Sequence, residues 1–199
     1  MKNLLTIMAL IAFIFIFVGL MPVHGEAELY DSVLRLHVLA NSDSEEDQAL
    51  KLKVRDSILE ASATIMQNCK TREDATAAIT AAIPTLTSAA SETIKREGFD
   101  YHVHIELCEE SYPTKSYESF CFPSGNYLSL RIIIGEGEGQ NWWCVMYPPL
   151  CVGAATDRKK ATSLWNNNQK KLVQGGDRYV VKFKVVEWAQ KALGIFRRK

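Results

Sequence analysis

The sequence predicts an α+β fold. An N-terminal strand and two long helical regions precede an antiparallel sheet with a hairpin, and a C-terminal amphipathic helix closes the chain. Two observations support this prediction. Apolar and polar residues alternate with a period of two over residues 33–40 and repeatedly between 101 and 147, as strands require. Between these stretches, apolar residues recur at helical spacing over residues 45–68 and again after Thr71.

The first 25 residues predict export. Lys2 precedes an apolar run at residues 4–21. As a helix, this run reaches about 27 Å, just short of a hydrocarbon core of about 30 Å. It is also longer than the usual apolar region of a signal peptide, and small residues precede Glu26 as at a cleavage site. Residues 1–25 are therefore predicted to be a cleaved signal peptide or an uncleaved membrane anchor.

The first strand and first helix are predicted with a turn between them. Over residues 33–40, Leu34, Leu36 and Val38 alternate with Arg35 and His37. A helix over residues 45–68 is capped by either of two pairs, Ser42 with Glu45 or Ser44 with Asp47. Its apolar stripe is Leu50, Val54, Ile58, Ala61 and Ile65.

The remaining elements are predicted in chain order. A second helical region begins after Thr71, is broken or kinked at Pro84, and ends before Gly98. Strands are predicted at residues 101–107, 114–122, 127–134 and 142–147, and a glycine-rich loop joins the last two as a β-hairpin. We predict a single signalling domain at residues 26–152. A polar basic linker with a final strand and helix is predicted at 153–199.

Charge is divided unevenly along the chain. Residues 26–157 carry 10 basic and 21 acidic side chains, whereas residues 158–199 carry 12 basic and 2 acidic ones. The basic C-terminal part can fold back on the acidic domain or contact an anionic membrane surface. No nucleic-acid-binding motif is present, and export also disfavours such a partner.

A metal site is weighed and disfavoured. His102, His104 and Glu106 share one face of a predicted strand, and His37 could add a third ligand. No HExxH or CxxC motif accompanies them, so a polar sheet surface is the favoured interpretation. No metal and no cofactor is predicted.

The cysteines raise the alternative of an exported thiol hydrolase. Cys144 or Cys151 beside His102 or His104 could serve as nucleophile, which requires a thiolate next to a base. Cys144 lies within a predicted strand and Cys151 follows two prolines, so neither has activating surroundings. A Cys144–Cys151 disulfide, or two buried thiols, is the favoured interpretation.

The segment at residues 135–151 is the most unusual in the chain. Its three alternating glycines are interleaved with Glu136 and Glu138, which would repel phosphate, so they predict a turn and not a phosphate-binding loop. Trp142 and Trp143 are adjacent on a strand and must face opposite sides. One is expected in the core and the other against a further surface, as an interface anchor.

Several ordered motifs are shared with a known protein family. They occupy residues 34–43 (LRLHVLANSD), 47–48 (DQ), 50–56 (LKLKVRD), 112–117 (YPTKSY), 122–125 (FPSG) and 130–151. Together they resemble the stage II sporulation protein R family of endospore-forming Firmicutes. The resemblance spans residues 33–151, with a weaker one at 181–188.

The resemblance implies a signalling role. Members of this family are made in the forespore and exported into the space between the two sporangial membranes. There they signal to a membrane-embedded aspartic protease facing the mother cell, which then removes the pro-sequence of sigma-E. The family member is the activator and not the protease, so no enzyme activity and no catalytic residues are expected.

The contact residues are a hypothesis from the sequence pattern. The loop at residues 41–47 and the segment at 135–151 hold polar and aromatic residues that a core does not demand. The predicted contact residues are Asn41, Asp43, Trp142, Trp143 and Tyr147. Two alternatives stay open, a thiol-dependent hydrolase and a membrane-anchored scaffold.

Overall fold

A computed structural model describes residues 6–8, 10, 13, 26–117, 120–150 and 163–174. Nearly all of the predicted signal peptide or anchor, together with the predicted C-terminal strand and amphipathic helix, lies outside these residues. Within the described part, no helix combines the length and the apolar character needed to cross a bilayer.

The described elements follow the chain as α1 (Glu26–Tyr30), β1 (Leu34–Leu39), α2 (Glu45–Met66), α3 (Arg72–Arg96), β2 (Val103–Tyr112), β3 (Lys115–Tyr117), β4 (Phe120–Phe122), β5 (Gly125–Ile134), β6 (Asn141–Tyr147) and α4 (Asn167–Gln174). They divide between two compact units. Of the described residues, the larger unit comprises 30–110, 127–150 and 163–165, and the smaller includes 111–117, 120–126 and 166–174.

The larger unit contains a four-stranded sheet in the order β2-β5-β1-β6. The predicted antiparallel sheet is wrong, because β1 pairs with β5 in parallel and with β6 antiparallel. The predicted hairpin is wrong for the same reason, since β1 lies between β5 and β6. Five of the six residues of β1 are buried, as expected for a central strand with neighbours on both sides. Alternation fixes the face that a side chain takes but not the order of strands.

Helices α2 and α3 pack on one face of this sheet. The apolar faces of β1 and β5 meet them in one core, which includes Leu36, Leu130 and Ile132. The prediction of α2 is confirmed, and of the two predicted caps the structure uses Ser44, whose hydroxyl accepts from Asp47 N at 3.2 Å.

Helix α3 runs unbroken through Pro84, so of the predicted alternatives, a break or a kink, the break is wrong. Pro84 is exposed, and buried apolar residues lie on both sides of it along the helix: Ala75, Ile79, Leu86, Ala90 and Ile94. Burial of this continuous face outweighs the lost backbone hydrogen bond. The predicted ending is confirmed, because Gly98 follows the helix with a φ of +87°.

The smaller unit is built around a short hairpin of β3 and β4, which α4 contacts. Helix α4 lies in the stretch predicted to be a polar linker. Asn166 caps it, because its side-chain oxygen accepts from the backbone N of Asn168 and Gln169 at 2.9 Å each. Leu172 and Val173 are buried, so only two apolar residues provide this helix with its packing face.

Candidate contact surface

Residues 135–140, here called the glycine loop, pass over the C-terminal end of β1 to connect β5 with β6. Backbone hydrogen bonds hold the loop to the chain that follows β1. Gly139 N donates to Ala40 O at 2.9 Å, and Glu138 N donates to Asn41 O at 3.2 Å. The loop is therefore a crossing connection over a central strand and not a simple turn.

The alternating glycines are needed for close packing. Gly135 and Gly137 have φ values of +57° and +67°, which favour glycine. A methyl group at Gly139 would lie 2.6 Å from the carbonyl carbon of Ser42, and one at Gly135 would lie 2.9 Å from the side-chain Cγ of Asn41. Gly135 and Gly139 thus let the loop lie directly against the turn after β1, whereas an added methyl at Gly137 would meet Ile133 of β5.

Asn41 and Asp43, both predicted contact residues, bind the glycine loop. Asn41 Oδ1 accepts from Glu136 N at 3.0 Å, and Asp43 Oδ1 accepts from Gln140 N at 2.8 Å. Both side chains therefore hold the glycine loop in place, a structural role that the sequence does not indicate. Their contact with a partner stays a prediction, and Asp43 is exposed as such a contact requires.

Two buried charged residues of α2 complete this arrangement. Asp47 Oδ2 accepts from Asn41 Nδ2 at 2.9 Å and from Ser42 Oγ at 2.6 Å. Lys51 Nζ donates to Gln140 O at 2.9 Å. We call Asn41, Asp43, Asp47 and Lys51 the loop anchor.

Electrostatics at the loop anchor follow from burial and hydrogen bonding. Burial alone would raise the pKa of the Asp47 carboxyl, but hydrogen bonds from Ser42, Asn41 and Tyr101 hold it below its ordinary value. Burial lowers the pKa of Lys51, although the nearby Asp43 charge acts in the opposite direction. The turn after β1 therefore stabilises the ionised form of Asp47.

The two tryptophans of β6 face opposite sides of the sheet. Trp142 is half-buried against the core that α2 and α3 cover, and the Arg55 guanidinium lies 4.7 Å from its ring centroid. Trp143 is half-buried on the opposite face, where its ring centroid lies 5.7 Å from that of His37. Of the two, Trp143 is placed away from the helical core.

Tyr147 lies in the core with only 4% of its surface exposed. Its hydroxyl donates to Cys69 O at 3.5 Å. Burial, followed by the nearby Cys69 and Asp74, raises its pKa to about 12. This position fits packing better than partner contact.

Cys144 is disulfide-bonded, whereas Cys69, Cys108 and Cys121 carry thiols. Its predicted partner Cys151 lies outside the described residues, so that pairing stays a prediction. A sulfur held in a disulfide is not a thiolate nucleophile. The disulfide therefore argues against Cys144 as the nucleophile of a hydrolase.

Replacing Cys144 with serine is expected to lower the free energy of unfolding by about 2–3 kcal/mol, as for a disulfide that closes a short loop. Urea denaturation with and without reductant measures this. Reductant should lower the urea midpoint of the wild type to that of the variant and leave the midpoint of the variant unchanged. Cys108→Ser is the matched control, because Cys108 carries a thiol. A wild-type urea midpoint that does not change with reductant would contradict the prediction.

A row of polar and aromatic side chains crosses the sheet face opposite the helices. Each strand contributes one member: Glu110 from β2, Arg131 from β5, His37 from β1 and Trp143 from β6. His37 Nδ1 lies 2.9 Å from Glu110 Oε1. Arg131 Nη1 lies 3.5 Å from the same oxygen. We call these four residues the polar row.

Sequence reasoning missed most of the polar row. The sequence pattern suggests His37 only as a metal ligand and assigns no role to Glu110, to Arg131 or to Asn141, which neighbours the row. The available signal was the polar face of β5, on which Ser129 and Arg131 alternate with the apolar stripe. Pairing between strands far apart in sequence then brings these side chains together.

Charges around the polar row favour ionised carboxylates. Burial would raise the pKa of Glu110, but His37, Ser129 and Arg131 hold it below its ordinary value. A hydrogen bond from Arg131 lowers the pKa of Glu106 as well. Both carboxyls are therefore stabilised in their ionised form by the side chains around them.

The weighed metal ligands do not converge. His104 Nε2 lies 3.7 Å from Glu106 Oε2, while His37 is bound to Glu110 and Asn141 instead. Among the residues that the structure describes, no three His, Cys, Asp or Glu side chains come together as a metal site would require.

Comparison with known proteins gives one consistent result. A family model described as stage II sporulation protein R matches residues 30–157, which is more than half of the chain. The chain is 38% identical over 121 residues to stage II sporulation protein R of Bacillus subtilis (strain 168), covering 61% of this chain and 54% of that protein. The chain thus matches about half the length of this curated relative. No solved structure matches it.

Proposed function

The chain belongs to the stage II sporulation protein R family, and from this premise we propose that it is an exported signalling protein of sporulation. It acts between forespore and mother cell, where it activates a membrane-embedded aspartic protease that processes pro-sigma-E. The family match carries this proposal. The matched segment, residues 30–157, includes the glycine loop, the loop anchor and all four members of the polar row. The proposed contact region therefore lies within the segment that the family shares.

The geometry supports a contact role for one end of the sheet. The glycine loop is exposed at Glu136, Glu138 and Gln140, yet its backbone is bound at both ends by Asn41 and Asp43. A loop that is already ordered loses little conformational entropy when it binds. Such a loop is suited to recognising a second protein.

Trp143 extends this surface onto the sheet face opposite the helices. It lies two residues after Asn141, the first residue of β6, which directly follows the glycine loop. A half-buried tryptophan offers a large apolar area to a partner at little cost in side-chain entropy. The contact surface that we propose is therefore the glycine loop with Asp43 and Trp143.

The basic residues after 157 have a separate proposed role. Their charge suits contact with the anionic surface of the neighbouring membrane. Such contact would hold the exported protein near a membrane-embedded partner and raise its local concentration.

Processing of pro-sigma-E tests the proposed function. Cells that produce the protease and pro-sigma-E, but no other activator, should process pro-sigma-E only when the exported chain is also produced. Unchanged processing with and without the chain would overturn the proposal.

Two adjacent tryptophans provide a matched test of the surface. Trp143→Leu is expected to reduce processing at least tenfold, because an aromatic interface anchor contributes about 2 kcal/mol. Trp142→Leu changes the neighbouring residue on the core face and should retain processing at equal levels of folded protein. Equal losses in both variants would contradict the proposed surface.

A further inference from the structure

We propose that His37 positions Trp143 for partner contact and that Asn141 links this pair to the glycine loop, so that loop and tryptophan form one surface. The expected effect on protease binding rests on the proposed function. The positioning of Trp143 rests on the geometry of the polar row.

His37 is the central member of the polar row. It lies directly opposite Trp143 across the antiparallel β1–β6 pair and opposite Arg131 across the parallel β1–β5 pair. Side chains directly opposite in an antiparallel pair are close enough to restrict each other. The imidazole and indole rings are inclined at 50°, with their centroids 5.7 Å apart. The orientation of Trp143 therefore depends on where the His37 ring is held.

Both ring nitrogens of His37 are held. Nδ1 lies 2.9 and 3.2 Å from the two carboxylate oxygens of Glu110, and Nε2 lies 2.7 Å from Asn141 Oδ1. His37 is 8% exposed, so its ring is largely shielded from water, whereas Asn141 lies at the exposed edge of this contact. Polar contacts at both ring nitrogens, on opposite sides of the ring, restrict both its position and its rotation.

Asn141 joins this pair to the glycine loop. It follows Gln140, whose backbone N is bound to Asp43 and whose carbonyl is bound to Lys51. The backbone that carries the Asn141 amide is thus placed by the loop anchor. A continuous series of contacts leads from Asp43 through Gln140 and Asn141 to His37 and Trp143. Displacement at one end is expected to reach the other through these contacts.

The test replaces Asn141 and observes Trp143 directly. For each protein compared, subtracting the emission spectrum of its Trp143→Phe form isolates the Trp143 signal. Asn141→Leu should shift this emission and weaken binding of the purified protease in detergent about tenfold, the effect of losing one hydrogen bond to a positioning ring. Asn141→Asp keeps an oxygen at the same place and should restore both readings. Asn68→Leu, on an exposed turn outside the surface, is the matched control and should change neither.

The outcomes separate this inference from the proposed function. Unchanged Trp143 emission in folded Asn141→Leu overturns the positioning by His37. Shifted emission with unchanged protease binding overturns the consequence for partner contact. If the wild-type chain does not bind the protease at all, the proposed function fails, while the emission spectra still decide whether Asn141 and His37 position Trp143.

Discussion

Replacing Gly139 with alanine should lower the free energy of unfolding by about 2–3 kcal/mol, the usual cost of forcing an extra carbon into a tightly packed place. The added methyl would lie against the Ser42 carbonyl, which belongs to the backbone and cannot rotate away. The glycine loop must then move, and the hydrogen bonds of Gly139 to Ala40 and of Gln140 to Asp43 are lost or weakened. Urea denaturation of the purified variant measures the change.

Gly98→Ala provides the matched control for Gly139→Ala. Gly98 has a φ of +87° but no atom within 4 Å of an added methyl, so only backbone strain of about 1 kcal/mol is expected. Gly139→Ala should also lose protease activation in the protein that remains folded, whereas Gly98→Ala should keep it. A smaller loss of stability at Gly139 than at Gly98 would contradict the packing described for the loop.

Asp47→Ala should destabilise the protein by about 3 kcal/mol, because it removes a buried carboxylate that accepts several hydrogen bonds. The side chains of Asn41 and Ser42 would lose their acceptor, and Asn41 would then hold the glycine loop less firmly. Glu46→Ala is the matched control. It removes one acidic residue from the same helical turn, but Glu46 is exposed, so the loss should stay below about 1 kcal/mol.

The effect of Asp47→Ala should depend on pH. The pKa of Asp47 is lower in the folded protein than its ordinary value of 3.8, so the carboxylate stabilises the fold. This contribution is complete above pH 3.8 and is lost as the pH falls through the folded-state pKa. The difference in unfolding free energy between wild type and variant should therefore be constant near neutral pH and shrink in acid. A difference that stays constant into strong acid would contradict the hydrogen bonding of Asp47.

Local patterns in the sequence predicted several elements because short-range physics fixes them. The cap at Ser44, one of two that the sequence allows, the buried face of α2 and the left-handed Gly98 all depend on residues within one or two helical turns. The opposite orientations of Trp142 and Trp143 follow from the pleat of a strand alone. These features could be predicted without knowledge of the tertiary fold.

The arrangement of the sheet and of the contact surface could not be predicted in this way. Asn41 reaches Glu136 across 95 positions of sequence, and His37 reaches Glu110 across 73. Each partner residue is also common on exposed strands and turns, so its identity gives no sign of the pairing. Insertion of β1 between β5 and β6 creates both contacts, and no pattern within the glycine-rich segment distinguishes a hairpin from a crossing loop.

Co-purification with the membrane-embedded protease tests the central claim most directly. Tagged protease in detergent should retain the wild-type chain and should retain far less of the Asp43→Ala and Trp143→Leu variants, each present as folded protein at an equal level. Trp142→Leu should be retained as the wild type is. Failure of the protease to retain the wild-type chain, or equal retention of all four proteins, would contradict an activator that works by contact through the glycine loop and Trp143.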